Sequence, residues 1–318
     1  MTRVFDEDAI RAAVDPAAVV DAIADGFRRY TAGEVDVPPV GLLHFEAPPG
    51  DVHIKYGAIR GDDYYMVKVA SGFYENFDLG LPVSDGSMLL YDRRTGEMLA
   101  VFLDRGWLTE LRTGAAGAVA ARLLAPSEVE RIGIVGTGVQ ARFQLRAMPA
   151  ATGCRRVLAW GRDPGRLAAY SSEMGAEGWE VETTGVLADI PAACDLIVTV
   201  TPAREPLLLK EWIRPGTHIT AVGSDNLGKQ ELDPAILGRA DVVAADSISQ
   251  TTHHGECAHG LAAGHLDREA IVELGAIVAD PSLGRTSPDQ ITVADLTGVA
   301  VQDIQVAKMA WEALVPGP

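Results

Sequence analysis

The rhythm of apolar and polar positions changes once along this chain. After Asp15-Pro16 comes AAVVDAIADGFRRY, in which Val19, Ile23 and Phe27 recur every fourth position. That stripe predicts an amphipathic helix capped by Asp15, opened by Pro16 and ended near Gly33. Four short runs follow: DVHIKYGAI, YYMVKVA, SMLLYD and MLAVFLD. The first alternates in part, and the others are β-rich or apolar. Pro38-Pro39, Pro48-Pro49-Gly50, Arg60-Gly61-Asp62 and the turn RRTGE punctuate them. Strands in succession without helices between them predict an antiparallel or mixed sheet. Residues 107–124, WLTELRTGAAGAVAARLL, read as a helix whose Ala and Gly surface admits another backbone at close range. Ala125-Pro126 ends it.

From Arg131 strands and helices alternate. RIGIVG, RRVLAW, CDLIVTVT, THITAVG and DVVAAD are apolar runs, and GVQARFQLRAM and DPGRLAAYSSEM are helical. This alternation predicts a doubly wound parallel sheet. ITVADLTGVAVQDIQVAKMAWEAL then supplies a last strand and a helix long enough to return to the first part of the chain. The fold class expected is α/β: a Rossmann parallel sheet over 126–299, plus a mixed α+β substrate and dimerisation domain over 1–125, completed by a helix over 300–318.

The chain has 318 residues, of which 47% are hydrophobic. That suits about two packed domains. Its 27 Lys and Arg against 44 Asp and Glu leave a formal charge of −17. No basic face is available, which excludes a nucleic-acid binder and an anionic membrane surface as partners. No run of ~18 apolar residues predicts a transmembrane helix. The acidic start, MTRVFDEDAI, lacks the apolar core of a secretion signal. The three cysteines, Cys154, Cys194 and Cys257, are odd in number and far apart. They point to a reducing cytoplasm rather than a disulfide framework.

The segment from Gly133 to Ala141 reads GxGxxA after a strand and opens a helix. In that context it is a dinucleotide turn. Gly136 makes the tight bend, Gly138 lets amides reach a pyrophosphate at the helix N-terminus, and Ala141 allows close packing. The second strand ends at Gly161-Arg162-Asp163. An NAD site usually carries a carboxylate at this tip, whereas a nearby Arg can hold a 2′-phosphate. Arg162 therefore favours NADP(H). Asp163 serves either the ribose or the cap of the helix opened by Pro164.

These features and their order resemble the ornithine cyclodeaminase/mu-crystallin family over nearly the whole chain. The landmarks are Val67-Lys68-Val69, Leu111-Arg112-Thr113-Gly-Ala-Ala and the turn ending at Ala141, followed by Val198-Thr199-Val200-Thr201. Ala221-Val222-Gly223-Ser224-Asp225, then Lys229-Gln-Glu-Leu232, and lastly Asp295-Leu296-Thr297-Gly298 with Val301-Gln302-Asp303 complete them. SQTTHHGECAHGLAAG and GRTSPDQITVADLTG are similar to ectoine-breakdown and imine-reductase members.

The resemblance implies a homodimer and a nicotinamide facing Lys68 and Arg112. Arg112 offers a fork for a substrate carboxylate. Lys68, on composition alone one polar position of a solvated strand face, becomes a carboxylate ligand or a proton donor. Asp225, after an apolar strand, matches the catalytic acid that handles the substrate amine; read alone it is a cap or turn former. Mu-crystallin-like members lack it, so its presence favours an enzyme. The implied cofactor contacts are Ser87, Arg112, Thr113, Val139, Gln140, Thr201, Val222, Lys229 and Leu296, beside Gly136, Gly138 and Arg162. Thr297 matches a substrate contact.

Two departures stand out. The family's usual Arg after Pro-Val is absent at Gly41, and its usual Met-Pro is replaced around His53-Ile54-Lys55-Tyr56. Lys55 either restores the missing charge at the substrate or is a surface lysine. The cluster His253-His254-Gly-Glu256-Cys257-Ala-His259 matches no standard zinc spacing, and no metal is expected.

Three outcomes share this chemistry. The first is NAD(P)H-dependent reduction of an imino acid, or the reverse dehydrogenation of an amino acid. The second is a redox-neutral cyclodeaminase of the ornithine-to-proline type. The third is a non-catalytic dinucleotide or small-ligand binder, as mu-crystallin is for thyroid hormone. The first is favoured.

Overall fold

The computed structural model describes residues 1–315, except the side chains of Tyr74 and Phe77. Two compact units emerge: Met1–Arg112 with the C-terminal segment from Ala300, and Thr113–Val299.

The first unit is built on a seven-stranded sheet: β1 (Arg3–Asp6), β2 (Val35–Asp36), β3 (Gly41–Glu46), β4 (Pro49–Ile59), β5 (Tyr64–Phe73), β6 (Ser84–Asp92) and β7 (Met98–Leu103). The order is β1-β7-β6-β5-β4-β2, with β3 also paired to β4. β1 runs parallel to β7, and the other pairs are antiparallel, so the sheet is mixed. β1 and the helix Glu7–Ala13, which Asp6 caps through the Ala9 amide, were not expected from the acidic N-terminus. The helix Pro16–Thr31 forms as its stripe predicts, with Val19, Ile23 and Phe27 fully buried and Asp15 bonded to the Ala17 amide.

One face of the sheet carries Met66, Met88, Leu90, Ala100 and Phe102, all fully buried. The helix Ala300–Leu314 covers it and is buried at Val301, Ile304, Val306 and Ala307. This is the helix expected over 300–318; residues 316–318 lie outside the described residues. The opposite face presents Val4, Tyr56, Val69 and Leu103, all more than a third exposed.

The second unit is an eight-stranded sheet, parallel throughout. Its strands are β8 (Ile132–Val135), β9 (Arg156–Trp160), β10 (Glu180–Thr184), β11 (Leu196–Thr199), β13 (His218–Ala221), β15 (Val242–Ala245), β16 (Ile271–Glu273) and β17 (Thr292–Asp295). Between them β12 (Arg204–Leu208) and β14 (Gln230–Leu232) form a separate parallel pair. The sheet order is β10-β9-β8-β11-β13-β17-β15-β16. Four central strands, β8, β11, β13 and β17, are buried along their whole length, as a sheet covered on both faces requires.

The units divide at Arg112/Thr113, inside the helix Trp107–Leu124, rather than after residue 125. The physical reason is the small-residue surface of 113–121. A Cβ at Gly114 would stand 2.5 Å from the Phe143 carbonyl, and Gln144 Nε2 donates to the Thr113 carbonyl at 2.9 Å. The helix from Thr113 onward thus packs with the second unit.

Candidate active site

The second unit gathers a set of loops at the C-terminal ends of its strands, where open α/β sheets take ligands. Gly136 follows β8 with φ +115, and a Cβ there would lie 2.9 Å from the Val200 carbonyl. Only glycine fits both demands. Gly138 precedes the helix Val139–Ala147, has no side-chain cap, and borders open space. Its neighbouring amides are therefore presented to an anion. A crevice of about 230 Å³ runs past Gly136, Gly138, Gly161, Arg162, Arg166 and Thr201. These features fit a dinucleotide: a bend without a side chain, an open helix N-terminus, and two guanidinium groups at the far strand tip. Asp163 is bonded to the Arg166 amide at 2.9 Å, which makes it the cap of the helix Pro164–Ala176.

The other implied contacts are distributed. Val139 is exposed beside the turn, and Gln140 Oε1 accepts from Gln144 Nε2 at 3.3 Å. Thr201 turns its amide and its hydroxyl toward Glu231. Val222 and Leu296 are buried just beyond β13 and β17. Thr297 is buried; its hydroxyl donates to Asp246 at 3.1 Å and accepts from Gln250 at 3.0 Å. Asp225, beyond β13, is close to half exposed and takes Lys229 Nζ on Oδ1 at 2.6 Å. Ser87 pairs across strands with Val69 on the outer face of the first sheet, away from Lys68.

The first unit holds a dense charge cluster beneath its inner face. Lys68 points inward from β5, and Lys55 stands directly opposite it on β4. Both are buried, so Lys55 is not a surface lysine, and Arg112, in the second turn of the helix Trp107–Leu124, is buried as well. These three cations surround one fully buried carboxylate, Asp303 of the C-terminal helix. Lys68 Nζ donates to Asp303 Oδ1 at 2.8 Å. Arg112 Nε lies 3.0 Å from the same oxygen without hydrogen-bond alignment, and its Nη1 donates to Gln302 Oε1 at 2.6 Å.

Burial pushes the Lys68 ammonium down to about 7; Asp303 opposes this, while Arg112 and Lys55 add to it. Burial alone would raise the Asp303 carboxyl, but Arg112, Lys68 and Lys55 together hold it below the usual range. Asp303 Oδ2 remains buried without a hydrogen-bond partner. Lys68 and Arg112 thus converge on one carboxylate oxygen, and an ammonium beside a guanidinium is an arrangement that also takes a ligand carboxylate. Nearby Asp104, raised to about 6 chiefly by burial, caps the Trp107–Leu124 helix through the Leu108 amide at 2.8 Å.

Sequence reasoning assigned no role to Asp303, although Val301-Gln302-Asp303 was among the landmarks. Its signal was an acid set among the apolar positions Val301, Ile304 and Val306. The segment of possible metal ligands has other work: Glu256 accepts backbone amides of Glu231 and Leu232, and His259 bonds the Lys229 carbonyl. Among the described residues no three His, Cys, Asp or Glu are grouped to hold a metal ion. Nor is any described helix long and apolar enough to cross a membrane.

Comparison with known proteins agrees with this architecture. An iminosuccinate reductase of Paracoccus denitrificans is 38% identical over 71% of this chain and 69% of its own. The structure of a Thermococcus litoralis Δ1-pyrroline-2-carboxylate reductase, in complex with NADH and L-proline, superposes with a TM-score of 0.93. It is 29% identical and covers 98% of this chain and 97% of that one. An archaeal alanine dehydrogenase dimer with bound NAD gives a TM-score of 0.91 at 32% identity, covering 98% and 95%. A family model described as ornithine cyclodeaminase/mu-crystallin matches residues 4–317. Its span takes in both the charge cluster and the dinucleotide turn, and the chain belongs to the ornithine cyclodeaminase/mu-crystallin family.

Proposed function

We propose that this protein is an NAD(P)-dependent oxidoreductase of small α-imino and α-amino acids, of the ketimine reductase or amino-acid dehydrogenase type. The observation that carries the reading is the trio Lys55, Lys68 and Arg112 around Asp303. A buried ammonium and a buried guanidinium that meet at one carboxylate are also groups that bind a ligand carboxylate, and an imino acid supplies one. The relatives named above act on such compounds by name.

In this reading Arg112 and Lys68 bind the substrate carboxylate, with Lys55 adding charge beside them. This fixes the orientation of Cα, which is a large part of the catalysis of hydride transfer. The dinucleotide, when bound along Gly136, Gly138 and Arg162, supplies or accepts the hydride at Cα. Asp225 holds the proton that the substrate nitrogen gains on reduction and loses on oxidation. Lys229, ion-paired to Asp225, fixes the position of that carboxylate. The retention of Lys68, Arg112 and Asp225 favours catalysis over a binding role.

We infer NADP(H) as the preferred cofactor. A Cβ at Gly161 would stand 2.8 Å from Thr137 Cγ2, so a strand-tip carboxylate of the NAD type has no room there, while Arg162 and Arg166 line the crevice. We also infer a homodimer formed through the exposed apolar face that carries Val4, Tyr56, Val69 and Leu103. Three free thiols suit a cytoplasmic enzyme.

The test follows absorbance at 340 nm with NADPH and NADH against cyclic and acyclic imino acids. Stoichiometric oxidation, abolished by Lys68→Ala, supports the reading. Ammonia release from ornithine, lysine or 2,4-diaminobutyrate with catalytic NAD, and no net change at 340 nm, replaces it with a cyclodeaminase. Tight dinucleotide binding without turnover in either assay replaces it with a binding protein.

A further inference from the structure

The loop after β13 carries Asp225 and is held from behind by a layered set of buried carboxylates. Glu231, in the middle of β14, is fully buried and accepts four hydrogen bonds. Thr199 Oγ1 and the Gly223 amide donate to Oε2 at 2.7 and 2.8 Å. The Thr201 amide and hydroxyl donate to Oε1 at 2.6 and 2.8 Å. One carboxylate therefore ties the loop after β11 to the loop after β13. Four donors on two oxygens fill its capacity, which an amide could not match.

Glu231 is itself anchored. Its own amide and that of Leu232 donate to Glu256 at 2.7 and 3.2 Å, and Glu256 opens the short helix Glu256–Ala262. His259, one turn along that helix, donates through Nε2 to the Lys229 carbonyl at 2.9 Å. The same carbonyl accepts the Ser224 hydroxyl at 2.7 Å, and Lys229 Nζ holds Asp225. The path runs from helix to loop to the exposed acid.

The geometry points to Glu231, Glu256 and His259 as positioning residues for Asp225, with the helix Glu256–Ala262 acting as the bracket of the proton-transfer loop. This rests on the role proposed for Asp225. It gives a purpose to a segment whose composition otherwise suggests a metal site. It also explains two carboxylates buried at high desolvation cost, Glu231 raised to about 7 and Glu256 raised well above the usual range, both by burial first.

A double-mutant cycle tests it, with kcat for the imino acid as readout. His259→Ala is expected to lower kcat by about 10-fold, since small misplacements of reacting groups are costly. Dinucleotide affinity, followed by tryptophan fluorescence, stays within about 2-fold, because His259 holds only the Lys229 backbone carbonyl and touches neither the Gly136 turn nor the Lys229 ammonium. His259→Gln, which keeps a donor for the Lys229 carbonyl, is expected to recover to within about 3-fold of the parent. In an Asp225→Asn background, His259→Ala is expected to have no further effect on kcat. Glu231→Gln should behave like His259→Ala with a larger loss.

Multiplicative losses in the double variant overturn the proposal and leave Asp225 as the acid. An unchanged kcat in folded His259→Ala overturns it as well. If Asp225→Asn alone retains kcat, the acid assignment fails and the positioning role fails with it, while the carboxylate-binding reading of Lys68 and Arg112 stands on its own test.

Discussion

Lys68 Nζ and Asp303 Oδ1 meet at 2.8 Å although 235 residues separate them in the chain. Asp303 is the carboxylate on which the buried Lys68 and Arg112 converge. Asp303→Asn is therefore expected to destabilise the protein by roughly 3–5 kcal/mol, since it leaves buried charge unbalanced. Urea unfolding measures that loss. kcat/KM for the imino acid should fall by at least about 100-fold, because the cations lose their fixed geometry. A variant with parental stability and turnover would refute the role given to Asp303.

The pH dependence follows from Lys68. Its ammonium is lowered to about 7, mainly by burial. An anionic substrate needs the charged form, so kcat/KM should decline about tenfold per pH unit above about 7. Lys68→Met should lose that limb. Stability runs the other way. The native state releases this proton at about 7 and an unfolded lysine releases it near 10.5, so the cost of the buried charge is full below 7. It disappears as pH rises to 10.5. Ligand-free protein should gain up to about 1.4 kcal/mol per pH unit in that window relative to Lys68→Met.

Cofactor choice is tested at the second strand tip. Arg162→Ala is expected to raise KM for NADPH by about 10-fold or more and to leave that for NADH within about 3-fold. Equal effects on both would show that Arg162 does not read a 2′-phosphate.

The apolar outer face of the first sheet gives a prediction about assembly. Val69→Asp should convert a species of twice 33.7 kDa into one of 33.7 kDa in sedimentation equilibrium, because a charge in an apolar interface has no partner. A parent protein that already sediments as a monomer would refute the dimer.

Much of the fold was readable in advance. The period-four stripe of Val19, Ile23 and Phe27, the glycine turn at 136–138 and the stop at Pro126 each follow from local chemistry, and each appears in place. The first strand and helix were not readable, because RVFD is too short to show a period and Asp6 looks like one acid among several. In the candidate site, Lys68 between two valines reads as an outward polar position, whereas the strand turns the lysine inward and leaves the valines outside. Sequence pattern encodes alternation and does not say which face is the covered one. Asp303 and Glu231 were invisible as site residues for a related reason. Their meaning depends on partners far off in sequence, Lys68 for the first and Thr199, Thr201 and Gly223 for the second.

The helix Ala300–Leu314 belongs to a unit whose strands lie at the other end of the chain. During synthesis, β4 and β5 leave the ribosome before all of Thr113–Val299, and Asp303 follows after that. For this interval the sheet lacks the cover of that helix, and Lys68 lacks Asp303. The dinucleotide-binding unit, continuous in sequence, is free to fold first. The first unit can be completed only when the last helix arrives, so a chain stalled before residue 300 presents the inner face of its first sheet uncovered by that helix.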